Sequence, residues 1–241
     1  MIKVDNKIKQ KRTAEREEKR KEREINEKAL SLSDWIPKTE LGKKVKNGEI
    51  TSIEEIFAKN LPILEPEIVD SLVDLQEEVI DIKKTSRVVR AGRKFAFRTS
   101  VLVGNKNGLI GLGTAKDTEK WPAVEKAKRK ARLNLVRIRR GCGSWECPCH
   151  EQHSVPFKVE GKCASVRVTL LPAPKGVGLV AGDNIKKVLE FAGIKDVWSR
   201  TAGATKTTLN FALAAIDALS NTAKMRVSEE ISRKFAKNKK E

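Results

Sequence analysis

The chain has 241 residues, a formal net charge of +18 and a pI near 9.8. That length allows two modest domains plus tails, and charge on this scale speaks to partners, RNA or DNA first, and not to fold. No apolar run approaches membrane-spanning length, the N-terminus is charged, and the cations are spread over folded-looking sequence, which argues against secretion and against a membrane partner. Tyrosine is absent and aromatics make up only 5%. Backbone and shape recognition of nucleic acid is therefore expected, not base stacking on a sheet.

Residues 1 to about 30 alternate acid and base with almost nothing apolar, as in Lys11-Arg-Thr-Ala-Glu15-Arg-Glu-Glu-Lys-Arg20. Such a run fits either a solvated helix or an arm that orders on a partner. Trp35-Ile36-Pro37 and the stretch from Gly42 to Gly48 read as a linker or turn. Thr51-Ser-Ile-Glu54-Glu55-Ile-Phe reads as a short helix capped by Thr51 or Ser52. Glu54, Glu55, Glu65, Glu67, Asp70, Asp74, Glu77, Glu78 and Asp81 then set nine negative charges against Lys59 alone. These acids should face protein, solvent or the basic strand that follows, not phosphate.

Glu78-Val-Ile-Asp-Ile82 alternates like a strand, and Phe95-Ala-Phe97-Arg-Thr-Ser-Val101-Leu-Val103 is a second. Asn107-Gly108 predicts a hairpin with positive φ at both central positions, and Leu109-Ile-Gly-Leu-Gly113-Thr returns. Asp117 or Thr118 is expected to cap a helix with Pro122 in its first turns. Trp121, Val124, Ala131, Leu135 and Ile138 should pack on the sheet, while Lys128, Arg129, Arg132 and Arg139 face out. Three strands backed by a basic helix result.

Two cation clusters frame this region. Lys83 to Arg98 holds seven basic residues and no acid; Glu125 to Arg140 holds eight against one acid. The density points to polyphosphate. Contacts to RNA backbone are expected from Arg87, Arg90, Arg93, Lys94, Arg98, Lys106, Lys128, Arg129, Arg132, Arg139, Arg140 and Lys175.

All four cysteines and both histidines fall between Cys142 and Cys163. With no signal peptide in view, a reduced intracellular metal or packing role outranks disulfides. Cys142-x4-Cys147-x-Cys149-x3-His153 offers three thiolates and an imidazole, a donor set that suits one structural zinc ion. The spacing is not the usual C-x2-C pair, so a rigid loop with free thiols stays open beside it. Cys163 reads as a packed thiol at the start of a strand, and His150 adjoins Cys149 too closely for both to ligate without strain.

Arg87-Val-Val-Arg-Ala-Gly-Arg-Lys-Phe-Ala-Phe97, Gly104-Asn-Lys-Asn-Gly-Leu-Ile-Gly-Leu-Gly113 and the helix from Ala123 to Leu135 together resemble the N-terminal domain of the small-subunit ribosomal protein S5 family, itself similar to a double-stranded-RNA-binding fold. His153-Ser-Val-Pro-Phe-Lys-Val-Glu-Gly161 and Ala164-Ser-Val-Arg-Val-Thr-Leu-Leu-Pro172-Ala-Pro174-Lys-Gly176-Val-Gly178 resemble its C-terminal domain. After them, Asn184 to Ala192 reads as a helix stopped by Gly193, Ile194 to Trp198 as a strand, and Thr205 to Leu219 as a buried helix, in the order β-β-α-β-α. The match spans roughly 75–223; the long N-terminus and the Cys/His insert look like the archaeal version.

The expected architecture is therefore α+β. It comprises a charged extension with short helices (1–74), a double-stranded-RNA-binding-like RNA-binding domain (75–140), a Cys/His loop between domains (141–153), a C-terminal α/β domain (154–223) and a mobile tail (224–241). The resemblance implies a structural constituent of the small ribosomal subunit, cytoplasmic, that binds rRNA and supports assembly. It also implies neighbouring small-subunit proteins as partners, a place by mRNA at the entry channel, and influence on decoding accuracy. Ser86 to Lys94 matches the family's extended basic loop. No small-molecule substrate is expected.

Two other readings compete with this one. A free-standing double-stranded-RNA-binding factor fits the charge alone. Pro172 to Leu179 is also similar to the phosphate loop of small-molecule kinases that share the C-terminal fold. The hydroxyl residues that would follow are missing, however, and Asp183, expected to cap the next helix, puts a negative charge where phosphate would sit. Gly104 to Gly113 lacks a Gly-Lys-Ser/Thr, and its glycines do not follow a dinucleotide fingerprint. No catalytic constellation stands out.

Overall fold

The computed structural model describes residues 35–149 and 151–225. The mixed-charge run at the N-terminus and the tail lie outside the described residues, as does His150. The chain divides into two compact units, Met1–Val73 and Asp74–Glu241.

In the first unit three short helices, α1 (Glu40–Lys46), α2 (Ile53–Ala58) and α3 (Pro66–Leu72), enclose Val45, Ile50, Ile56 and Ile68. α1 corrects the expected turn at Gly42. Thr39 caps it by accepting from the Gly42 N–H at 3.0 Å, and Gly42 is packed so closely that a Cβ would meet Glu65 and Pro37 at 3.0 Å. Ser52 does sit at the N-cap of α2, but its hydroxyl bonds Glu55 Oε1 at 2.8 Å and makes no bond to a backbone N–H. Glu65 ties the unit together. Its Oε1 accepts from the N–H groups of Lys38 (2.9 Å) and Thr39 (2.7 Å), and its Oε2 from Trp35 Nε1 at 2.9 Å.

The second unit begins with a four-stranded antiparallel sheet, β1 (Gln76–Val89), β2 (Gly92–Gly104), β3 (Leu109–Asp117) and β4 (Leu135–Arg137), in that order. Helix α4 (Lys120–Leu133) lies on one face of it. The close approach has a cause in sequence. Gly113 and Gly111 stand where a Cβ would fall 2.1 Å from Ala127 O and 2.3 Å from Ala131 O. Glycine on the strand and alanine on the helix let backbone meet backbone.

Several expectations change here. Residue 119, not Asp117 or Thr118, is the N-cap of α4; Asp117 instead accepts from the Thr118 N–H at 2.7 Å. Trp121 is 80% exposed. The buried stripe is Ala123, Val124, Ala127 and Ala131, and Trp121 lies on the flank of the helix, roughly 100° round from the centre of that stripe. Leu135 and Ile138 are buried, but they follow the helix: Leu135 opens β4, which makes a fourth strand. In the β2–β3 hairpin, positive φ falls on Lys106 (54°) and Gly108 (93°), not Asn107. Asn105 Oδ1 accepts from the N–H groups of Asn107 and Leu109 and shapes the turn.

The second half of this unit carries β5 (Val159–Cys163), β6 (Val166–Pro172), β7 (Leu179–Val180), α5 (Asp183–Ala192), β8 (Val197–Ala202) and α6 (Thr208–Ala223). The sheet order is β5-β6-β8-β7, with only β7 and β8 parallel. The expected β-β-α-β-α order is present, with β7 added and the last strand starting at Val197. Gly182 is the N-cap of α5, and Asp183 lies in its first turn instead of capping it. Gly193 ends α5 in the left-handed region, φ 79°. Cys163 closes β5 and packs against the core.

The two halves share one hydrophobic core. Leu102, Ile110, Leu112 and Ile138 from the first join Leu170, Val188, Leu189 and Leu219 from the second. The joint is also hydrogen-bonded. Lys106 N–H donates to Phe191 O at 3.0 Å and Gly108 N–H to Ala192 O at 3.1 Å, so the β2–β3 turn caps the end of α5.

Candidate RNA interface and metal centre

β2 pairs with β3 only from Phe97 to Gly104, whereas it pairs with β1 along its whole length from Gly92. Thr85 to Ala96 therefore projects as a two-stranded arm, roughly 17 Å long at the usual strand rise. The extended basic loop expected from Ser86 to Lys94 is this hairpin, closed at Arg90-Ala91. Arg87, Arg90, Arg93 and Lys94 are exposed on it and have no carboxylate partner among the described residues. Arg87 faces Lys94 directly across the ladder. Like charges so placed cost roughly 0.2–1 kcal/mol. Phe95 is 50% exposed, with Lys84 Nζ 4.0 Å from its ring centre.

The other expected cations divide. Arg98, at the root of the arm, lies close enough to Asp81 to act on its charge. Lys106 is exposed on the β2–β3 turn and Arg129 on α4, and Arg139 is half-buried. Lys128 and Arg132, expected to face out, instead converge on Glu77 of β1, at 2.6 and 2.7 Å. Arg132 is only 16% exposed. The acids thus do face the basic elements: Glu78 pairs with Lys187 at 2.6 Å and Asp81 with Lys83 at 3.0 Å. Arg140 donates to Gly193 O at 3.1 Å and to Asn107 Oδ1, which pins the turn to the end of α5. Lys175 pairs with Glu151 at 2.8 Å.

The fold brings Cys142, Cys147, Cys149 and His153 together, with all four ligand atoms within 4.8 Å of one another. An isolated bridge between Gly141 and Ser154 closes the loop that carries them. Cys147 Sγ lies 3.0 Å from Cys149 Sγ and 3.8 Å from His153 Nε2. Around tetrahedral zinc, sulfur–sulfur and sulfur–nitrogen separations are about 3.8 and 3.5 Å, given bond lengths near 2.3 and 2.0–2.1 Å. The cluster matches this scale and needs to open by under about 1 Å between Cys147 and Cys149.

Hydrogen bonds with Cys149, and the Lys175 N–H on the sulfur, bring the Cys147 thiol down to about 6. Burial pushes Cys142 up to about 11. One thiolate is thus favoured at neutral pH before any cation arrives.

Sequence reasoning missed Asp196. It is 5% exposed, and its Oδ2 sits 2.9 Å from His153 Nδ1. Its Oδ1 accepts from the Gly176 and Gly178 N–H groups at 3.0 and 2.8 Å. A separation of 43 residues from His153 hides the pair from any spacing motif. The contact also settles the phosphate-loop similarity. The amides that would cradle a nucleotide phosphate are filled by the chain's own carboxylate.

The fold and its arm define a class of two-domain α+β protein with a projecting basic hairpin, and comparison with known proteins identifies the family. The model for the ribosomal protein S5 N-terminal domain matches residues 75–139, and that for the S5 C-terminal domain matches residues 161–234. The chain is 54% identical over 202 residues to the small ribosomal subunit protein uS5 of Methanobrevibacter smithii, covering 83% of this chain and 95% of that protein. It is 52% identical over 202 residues to uS5 of Methanocaldococcus jannaschii (83% and 93%) and 56% identical over 195 residues to uS5 of Staphylothermus marinus (80% and 91%). The chain belongs to the ribosomal protein S5 family, and these three relatives are archaeal. No helix among the described residues is long and apolar enough to cross a membrane.

Proposed function

We propose that this chain is a non-enzymatic structural constituent of the small ribosomal subunit that binds rRNA, supports assembly, lines the mRNA entry region and influences decoding accuracy. Neighbouring subunit proteins are further partners, and the place of action is the cytoplasm. Family membership supports the ribosomal assignment, and the observation that carries RNA binding is the arm. Four exposed cations stand there without a carboxylate partner among the described residues, two of them opposed across the ladder. Phosphates supply the counter-charge that the protein withholds.

In this reading residues 75–140 form the RNA-binding domain. Arg87, Arg90, Arg93 and Lys94 make its leading contacts, and Arg98, Lys106, Arg129 and Arg139 support them. Lys128, Arg132, Arg140 and Lys175 already serve contacts within the chain and meet RNA only by sharing them. The test is sedimentation of the native protein from lysate through a magnesium-containing sucrose gradient. Co-migration with small subunits through a moderate-salt wash is expected; a position at the top of the gradient overturns the reading.

The Cys142, Cys147, Cys149 and His153 cluster is proposed to hold one structural zinc ion, which would staple a loop with little core of its own. Pure, reduced protein should carry about one zinc per chain by elemental analysis. Absence of zinc overturns this part alone.

A further inference from the structure

We propose that Asp196 and the loop Pro174 to Gly178 form the outer support of the Cys/His centre, so that ligation of a divalent cation there fixes that loop and the position of Lys175. The inference rests on the zinc reading above and deepens it. Three contacts carry it. Asp196 Oδ2 receives His153 Nδ1–H at 2.9 Å, and both residues are buried, at 5% and 4% exposure. This assigns the proton to Nδ1 and leaves the Nε2 lone pair facing the sulfurs, the arrangement a ligating imidazole needs. The other oxygen of the same carboxylate gathers the Gly176 and Gly178 N–H groups.

The loop is therefore tied to one of the four ligands, His153, through a single carboxylate. Gly176 and Gly178 adopt φ of 96° and 75°, where L side chains are rarely found. In that conformation both of their N–H groups converge on one oxygen. The backbone around His153 adds a brace: its carbonyl accepts from the N–H groups of Lys195 and Asp196 at 2.8 and 3.1 Å. A cation that fixes the imidazole plane fixes the carboxylate, and the carboxylate fixes the loop. Lys175, paired with Glu151 at the rim, moves with it.

The test uses the full chain and Asp196→Asn. An asparagine oxygen can take the His153 proton, but its amide hydrogens then face two N–H donors. Zinc affinity, read by competition with a chromogenic chelator, should fall about 10–100-fold, the usual effect of losing a second-layer partner. Amide hydrogen exchange at Gly176 and Gly178 should speed up at least about tenfold when zinc is stripped from the native chain. Val101 and Val103, in the other half, should keep their rates. If native protein binds zinc but D196N binds it within about threefold as tightly, the role of Asp196 is overturned. If exchange at Gly176 and Gly178 ignores zinc, the coupling is overturned, and this comparison decides alone should D196N fail to fold. Native protein that binds no zinc overturns the metal reading itself, a distinguishable result.

Discussion

The basic arm and the Cys/His loop handle polar groups in opposite ways. On the arm, Arg87, Arg90, Arg93 and Lys94 are exposed with no carboxylate partner among the described residues, and β3 does not extend beside the two strands. Around the loop, donors meet acceptors of the chain itself: Asp196 serves His153, Gly176 and Gly178 together, and Glu151 takes Lys175. An unsatisfied surface describes a missing partner. A closed network describes a part that the chain must build before any partner arrives.

The sharpest way to break the comparison is to open the loop. Cys147→Ser should drop zinc from about one per chain to near zero. It should also remove metal-linked stability of about 4 kcal/mol wherever free zinc is a thousandfold above its dissociation constant. Elemental analysis and thermal melting with and without zinc check both. The arm should behave in reverse. Replacing Arg87, Arg90, Arg93 and Lys94 by alanine should flatten the log–log salt dependence of rRNA-fragment binding by about 3, four contacts at 0.7–0.9 each. The melting temperature of the free protein should hold or rise, because opposed charges are removed.

A third variant sharpens the boundary between the two kinds of region. Glu77→Gln removes the carboxylate charge that Lys128 and the 16% exposed Arg132 share, and should cost about 1–3 kcal/mol in denaturant unfolding without lowering rRNA affinity. The smallest effect lies at the root of the arm. Burial works to raise the Asp81 carboxyl, but hydrogen bonds from Thr208 and Lys83, with the charges of Lys83 and Arg98, hold it below its ordinary 3.8. A depressed carboxyl contributes stability above its unfolded value and loses it as pH falls through the lower folded value. Melting temperature measured downward from pH 5 should therefore fall less steeply below about pH 3.8 in Asp81→Asn than in the native chain.

Much of the fold was legible where local rules govern. Alternation marked β1 and β2, Gly193 marked the end of α5, and the separated S5 motifs fixed the order of elements. Local rules failed where a distant group decided the outcome. Gly42 read as a turn, yet Thr39 and Glu65, 23 residues beyond it, hold it in a helix. Trp121 looked like core because it falls at roughly helical spacing with Val124, Ala131 and Leu135; the alanine stripe meets Gly111 and Gly113 instead, and Trp121 is 80% exposed. The four metal-type ligands were visible as a cluster of rare residues. Asp196 was not, since nothing in Ile194-Lys-Asp-Val distinguishes a structural carboxylate from a solvated one. Likewise, the pairing of Glu77 with Lys128 and Arg132 spans some fifty residues and leaves no periodic trace.

β2 is a single uninterrupted strand from Gly92, near the tip of the arm, to Gly104, packed against the carbonyl of Phe191. Its thirteen residues span roughly 40 Å. One end meets the outside, and the other sits in the hydrogen-bonded joint between the halves. One continuous backbone thus runs from Arg93 and Lys94 to the joint at Gly104, so the footing of the arm is built from both halves.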